Sequence, residues 1–211
     1  MTWENLTAYI GVVLLASISP GPDVALVLRN SVRHGWAAGC RTGLGIAAGL
    51  LMWGLISAVG ITAVLAASPV AFLVLKVLGA AYLCYLGARL IWYAVRPRPA
   101  QPLDPGVAPP AERGLFAQGF LTNLVNPKVA AFFVALLPQF ITVRGVEAAP
   151  VVLGMASINA VAAVAVMSVY AVLGGQATRL VGNQRFERGL DSVVGAVLVV
   201  LAGRLLFTEL P

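Results

Sequence analysis

Ser19-Pro20-Gly21-Pro22-Asp23 sets two prolines, a glycine and an ionisable carboxylate inside an apolar run that begins near residue 5. Proline deletes a backbone donor and glycine loosens the chain. The stretch therefore reads as a break in a membrane helix, whose freed carbonyls and N–H groups must face protein or a water-filled cavity rather than lipid. Discontinuous helices of this kind commonly build transporter sites. Halfway along the chain, Asn123-Leu124-Val125-Asn126-Pro127-Lys128-Val129-Ala130 makes a second break. Aligning Pro22 with Pro127 lays Asp23 on Lys128, Val24 on Val129 and Ala25 on Ala130, so the chain divides into two halves, each with one charged break.

Composition places both halves in a bilayer. Of 211 residues, 60% are hydrophobic and 10% charged, with a mean hydropathy of +0.91, whereas charged residues make up roughly 25% of a soluble domain. The formal net charge of +6 comes mostly from basic residues between apolar runs, where membrane topology explains them, so nucleic acid is not expected as a partner. Cys40 and Cys84 stand at no metal-ligand spacing and the chain has one His, so neither a metal nor another cofactor is expected. Met1-Thr2-Trp3-Glu4 lacks the basic start of a cleaved signal peptide, and the first apolar run is expected to remain as a membrane helix.

Crossing a hydrocarbon core of ~30 Å takes about 20 apolar residues. Six stretches reach that length, at 5–28, 37–66, 69–95, 115–142, 147–174 and 190–208. The expected fold is an all-α integral membrane protein with six transmembrane helices. A first three-helix repeat occupies 1–95 and a second 115–211, with helices one and four broken by proline. The segment 96–114, with six prolines and several charges, is a cytoplasmic linker between them. Because each repeat has an odd number of spans, the second enters the membrane from the opposite side and the repeats are inverted.

Ten basic residues gather on one face: Arg29, Arg33 and Arg41 after helix one, Arg89, Arg96, Arg98 and Arg113 around the linker, and Arg179, Arg185 and Arg188 before helix six. The other face carries mainly Arg144, with Glu4, Glu147 and Glu209, so both termini are expected outside the cytoplasm. Gly39/Gly43 and Gly45/Gly49 have the spacing that lets membrane helices approach closely, although glycine is also common in such helices without a packing role.

An ionisable residue at bilayer depth costs roughly 2.5–3.5 kcal/mol on insertion scales and persists when it is paired or faces a cavity. Asp23 and Lys128 are the two candidates, either as a static ion pair between the halves or as groups that bind a charged substrate or relay protons. Asn123 and Asn126 flank the second break, where an amide can satisfy the backbone that Pro127 disrupts or bind a polar substrate group. Asn159, deep in apolar helix five, either faces substrate or bonds a neighbouring helix. His34 belongs to the basic loop after helix one, a solvated position.

Taken together, these residues resemble the LysE/RhtB family of amino-acid exporters, especially its threonine and homoserine-type efflux members. The resemblance spans nearly the whole chain. It rests on Ser19-Pro20-Gly21-Pro22-Asp23, on Gly45-Ile46-Ala47-Ala48-Gly49 with Trp53, and on Gly79-Ala80-Ala81-Tyr82-Leu83 with Gly87. Its second half is carried by Gly119-Phe120-Leu121-Thr122-Asn123 with Asn126-Pro127-Lys128, and by Asp191 with Gly195. It implies a multi-pass exporter of the cytoplasmic (inner) membrane and not an enzyme. The substrate is a small amino acid or close derivative, the driving force the proton gradient, and the assembly a homo-oligomer. An intramembrane protease would need a Ser–His pair or two deep aspartates, and a divalent-metal exporter clustered ligands. A non-transporting helical scaffold could use the same glycines, but it gives no reason for opposed charges at matching breaks.

Overall fold

The computed structural model describes residues 3–67, 114–141 and 147–181 without interruption, and single residues from 77–95 and 188–203. Among the described residues every regular element is helical. They form α1 (Trp3–Ile18), α2 (Pro22–His34), α3 (Trp36–Ala67), α4 (Leu115–Leu124), α5 (Pro127–Ala131) and α6 (Ala148–Val181). A π turn (Phe132–Leu136) and a 3-10 turn (Leu137–Phe140) continue α5.

Both expected breaks are present and are built alike. In the first, Ser19 N donates to Leu15 O at 3.0 Å and the next ladder bond is Ala25 N to Gly21 O at 2.9 Å. Pro22, without an N–H, is the first residue of α2. In the second, Val125 N donates to Leu121 O at 3.1 Å, and Val129 N and Ala130 N both donate to Asn126 O at 3.0 Å, with Pro127 opening α5. The half-helices meet at 52° across the first break and 50° across the second. Each charged residue, Asp23 or Lys128, directly follows its proline.

Trp36–Gly60 and Ala148–Gly174 are long and apolar enough to cross a bilayer, and each broken pair counted as one span makes two more. The third and sixth expected spans, 69–95 and 190–208, and nearly all of the linker fall largely outside the described residues. Gly174, with φ 44° and ψ −110°, kinks α6 where the fifth expected span ends. Helix one departs from expectation: the helix runs on past residue 28 to His34, stopped by Gly35 at φ 85°, whose N–H returns to Ser31 O at 2.9 Å. Arg29, Arg33 and His34 therefore lie on α2 rather than in a loop, and Arg41 lies within α3.

Residue-to-residue contacts give the helix directions. Tyr9 bonds Met155 and Ile18 bonds Tyr170, so the first broken helix runs parallel to α6. Gly39 lies against Ala171, Gly43 against Met167 and Gly54 against Ala156, so α3 runs antiparallel to α6. Gly119 lies against Thr42 and Gly49 against Asn123, making α3 parallel to α4. The α3–α4 approach brings backbone onto backbone: a Cβ on Gly119 would fall on the Thr42 carbonyl, and one on Gly45 on the Phe116 carbonyl. All four glycines of the two spaced pairs on α3 thus have a neighbour where a side chain would be, which settles their role as packing. Outside this group, Gly87 and Gly195 face one another backbone to backbone.

Candidate functional site

Breaking a helix strands its last carbonyls, and the end of α1 finds partners far along the chain. Lys128 Nζ donates to Ala16 O at 2.7 Å and to Ser19 O at 3.1 Å. The Tyr170 hydroxyl donates to Ile18 O at 2.8 Å. A cation at the negative end of a helix is favoured by the aligned peptide dipoles as well as by the hydrogen bonds. The positive charge of the second break thereby caps the helix that ends at the first.

The reverse contact also exists. Asn123 Nδ2, on the last turn of α4, donates to Asp23 Oδ2 at 2.8 Å. Both side chains are buried, and the Asn126 side chain also stands beside the Asp23 carboxylate and stabilises its charge. The amide oxygen of Asn123 lies in the space left by the missing side chain of Gly49, where a Cβ would come within 2.7 Å of it. Gly49, Asn123 and Asp23 therefore form one line of contact from α3 through α4 to α2. Asn126 repairs its own break, its side-chain oxygen accepting from Lys128 N at 3.0 Å as the N-cap of α5.

Between the breaks lies a cavity of about 160 Å³. Asp23, Lys128, Asn123, Asn126 and Asn159, all five side chains singled out in the sequence, line it, and so does Gly21, whereas Pro20, Pro22 and Pro127 bend the backbone without entering the wall. Ser17 and Ser19 add two hydroxyls, and the remaining wall is apolar. Asn159 also bonds the Tyr9 hydroxyl, which itself donates to Met155 O at 2.9 Å, so this amide both joins helices and faces the cavity. Phe132 and Leu136, carried by the π turn, contribute to the wall. Behind them Tyr9 packs on Phe132 at 6.0 Å and edge-on to Phe140 at 5.3 Å between ring centroids.

A second polar group sits one to two helical turns toward the arginine-rich end. Asn30 Nδ2 donates to Thr42 Oγ1 at 2.9 Å and to Gln118 Oε1 at 3.5 Å, tying α2 to α3 and α4. Thr42 lies one turn before the cavity residue Ile46, and Gln118 lies on α4 ahead of Asn123. Together with the tight Gly45 and Gly119 contacts, this group holds α2, α3 and α4 together next to the cavity. Sequence reasoning missed these three residues, and Tyr170, because single polar side chains in apolar helices carry no spacing signal. Only Asn30 had a local clue, the Gly35 stop that places it inside a helix.

The model of the family described as "LysE type translocator" matches residues 14–209. The chain is 34% identical to a homoserine/homoserine lactone efflux protein of Salmonella typhimurium, over 98% of this chain and 97% of that protein. It is 28% identical to a leucine efflux protein of the same organism, over 96% and 93% of the two chains. It is 32% identical to the Bacillus subtilis membrane protein YrhP over 93% and 95%. No solved structure matches.

Proposed function

The chain belongs to the LysE type translocator family, a membrane transporter and not an enzyme, and on that premise we propose that it exports amino acids or close derivatives across the cytoplasmic membrane in exchange for protons. The observation that carries this reading is the cavity at the crossing of two broken helices, with Asp23 and Lys128 in one wall system. An amino acid presents an ammonium and a carboxylate, and a site holding one charge of each sign complements both. Protonating Asp23 weakens its hold on the ammonium, which links release to a proton. The efflux named for the relatives supports the direction of transport.

The same reading includes six spans as two inverted repeats. Parallel α3 and α4 require the chain between them to travel back along the bundle, and a third span at 69–95 makes that crossing. The facing of Gly87 and Gly195 brings the last expected span of each half together, as a two-fold axis between repeats would. Single cysteines at positions 98 and 185, in a background without Cys40 and Cys84, are expected to resist a membrane-impermeant thiol reagent in intact cells and to react after permeabilisation. Labelling of either in intact cells overturns the orientation with both termini external.

Export itself is tested in cells overproducing the protein and loaded with labelled amino acids. Faster loss of at least one amino acid, and resistance to its toxic excess, is the expected result. If no member of a panel covering the twenty amino acids, homoserine and homoserine lactone leaves the cells faster, the assignment fails.

A further inference from the structure

We infer that the cavity selects amino acids with a free α-ammonium and an uncharged, mainly aliphatic side chain, and rejects those whose side chain carries a charge of either sign. The inference rests on the export reading and adds the substrate class to it.

Charge balance is the first argument. Among the described residues lining the cavity, Asp23 is the sole carboxylate and Lys128 the sole cation, so the wall is balanced as it stands. A zwitterion with a neutral side chain enters without altering that balance. Lysine or arginine brings a second cation and no second carboxylate to meet it, and glutamate or aspartate the reverse. An unmatched charge in a low-dielectric cavity is strongly disfavoured.

The second argument is the state of each polar group. Lys128 already spends its ammonium on Ala16 O and Ser19 O, so it contributes field at the site but is not a free side chain waiting for a second anion. Asp23 is different. One of its oxygens accepts from Asn123 and the Asn126 side chain also stands beside the carboxylate, so its hydrogen-bond partners are neutral amides and its negative charge can attract an ammonium. Asn123 Oδ1 is held against Gly49 and points to α3, leaving the Asp23 carboxylate as the anionic group of the wall for the ammonium. An N-acyl group replaces that charged donor with a neutral amide and adds bulk, and a 2-hydroxy acid loses the charge altogether.

The rest of the wall defines the side chain. Val24, Ile46, Leu50, Phe132, Leu136 and Met167, from α2, α3, the π turn and α6, offer hydrocarbon to whatever extends away from Asp23. At about 160 Å³ the space lies well below the ~300–1,000 Å³ of sites for drug-sized ligands, which suits a molecule the size of one amino acid.

The test uses the full chain reconstituted in liposomes, with exchange of internal leucine for labelled external leucine as the signal and unlabelled compounds as competitors. Isoleucine, valine and methionine are expected to compete within about threefold of leucine. Lysine, glutamate, N-acetyl-leucine and 2-hydroxy-4-methylpentanoate are expected to be weaker by at least about tenfold, the scale set by one lost charged hydrogen bond or one unmatched charge. Competition by lysine or glutamate as strong as that of leucine overturns the inference while leaving export intact. So does equal competition by N-acetyl-leucine. Exchange of lysine or glutamate but not leucine, read with each as its own labelled signal, also overturns it, whereas failure of every amino acid to exchange removes the export reading and this inference with it.

Discussion

Asp23→Asn is expected to abolish export while leaving the protein in the membrane at the abundance of the wild type. The substituted amide still offers an oxygen to Asn123 Nδ2, so the contact between α2 and α4 survives and only the charge is lost. Lys128→Gln is expected to abolish export and also to lower thermal stability, because it removes the ammonium from Ala16 O and Ser19 O at the end of α1. Hydrogen bonds to charged groups contribute about 1.5–3 kcal/mol each, enough to be visible in detergent melting. The charge-swapped double variant, Asp23→Lys with Lys128→Asp, is expected to remain inactive. A carboxylate at position 128 has no proton to offer the α1 carbonyls, and an ammonium at position 23 meets the donor end of Asn123. Recovery of export by the swap would show that the two charges act as an interchangeable pair, and normal export by both single variants, at matched abundance, would remove them from the mechanism.

The largest structural effect is expected at Gly119. A side chain there meets the Thr42 carbonyl and the Ile46 backbone nitrogen, neither of which can turn aside as the tip of a flexible side chain can. Gly119→Val should therefore force α3 and α4 apart, break the Asn30, Thr42 and Gln118 group, and leave little folded protein in the membrane. Even the single methyl of Gly119→Ala is an overpacking change, of the kind that costs about 1–3 kcal/mol. Gly49→Ala is expected to fold but export poorly, because its neighbour is the Asn123 side chain that holds Asp23. Gly154→Ala serves as the control, with open space where the methyl goes. Membrane abundance and melting temperature separate these outcomes, and Gly119→Val with normal values for both would show that the α3–α4 contact is looser than described.

What the sequence disclosed and what it concealed divide along the range of the interaction. Pro22, Pro127 and their charged neighbours are conspicuous because a break in an apolar run is a local event, so both breaks and five of the polar side chains that line the cavity beside them could be read from the sequence. Asn126 was legible as a cap for the same reason. The end of helix one was misplaced because span length was judged from apolarity, and Arg29, Asn30 and Arg33 look like the start of a loop. A glycine able to adopt positive φ, Gly35, decides where that helix stops. The partners of Lys128 could not be read at all. Asp23 was the apparent candidate from charge alone, yet Lys128 Nζ donates to two backbone carbonyls, and backbone carbonyls are the same at every position. Tyr170 and Gly49 were invisible for a related reason: their importance lies in which atom of a distant segment they approach.

The cap that Lys128 provides also has a timetable. Ser19 and Lys128 are 109 residues apart, and synthesis at ~5–20 residues per second separates their emergence from the ribosome by roughly 5–20 s. Throughout that interval the first helix has been made but the ammonium that satisfies its end has not, and Tyr170 is later still. Exposed carbonyls are poorly tolerated in lipid. The newborn first helix must therefore wait where water or the insertion machinery can serve its broken end, and it can settle fully only when the second half of its own chain arrives.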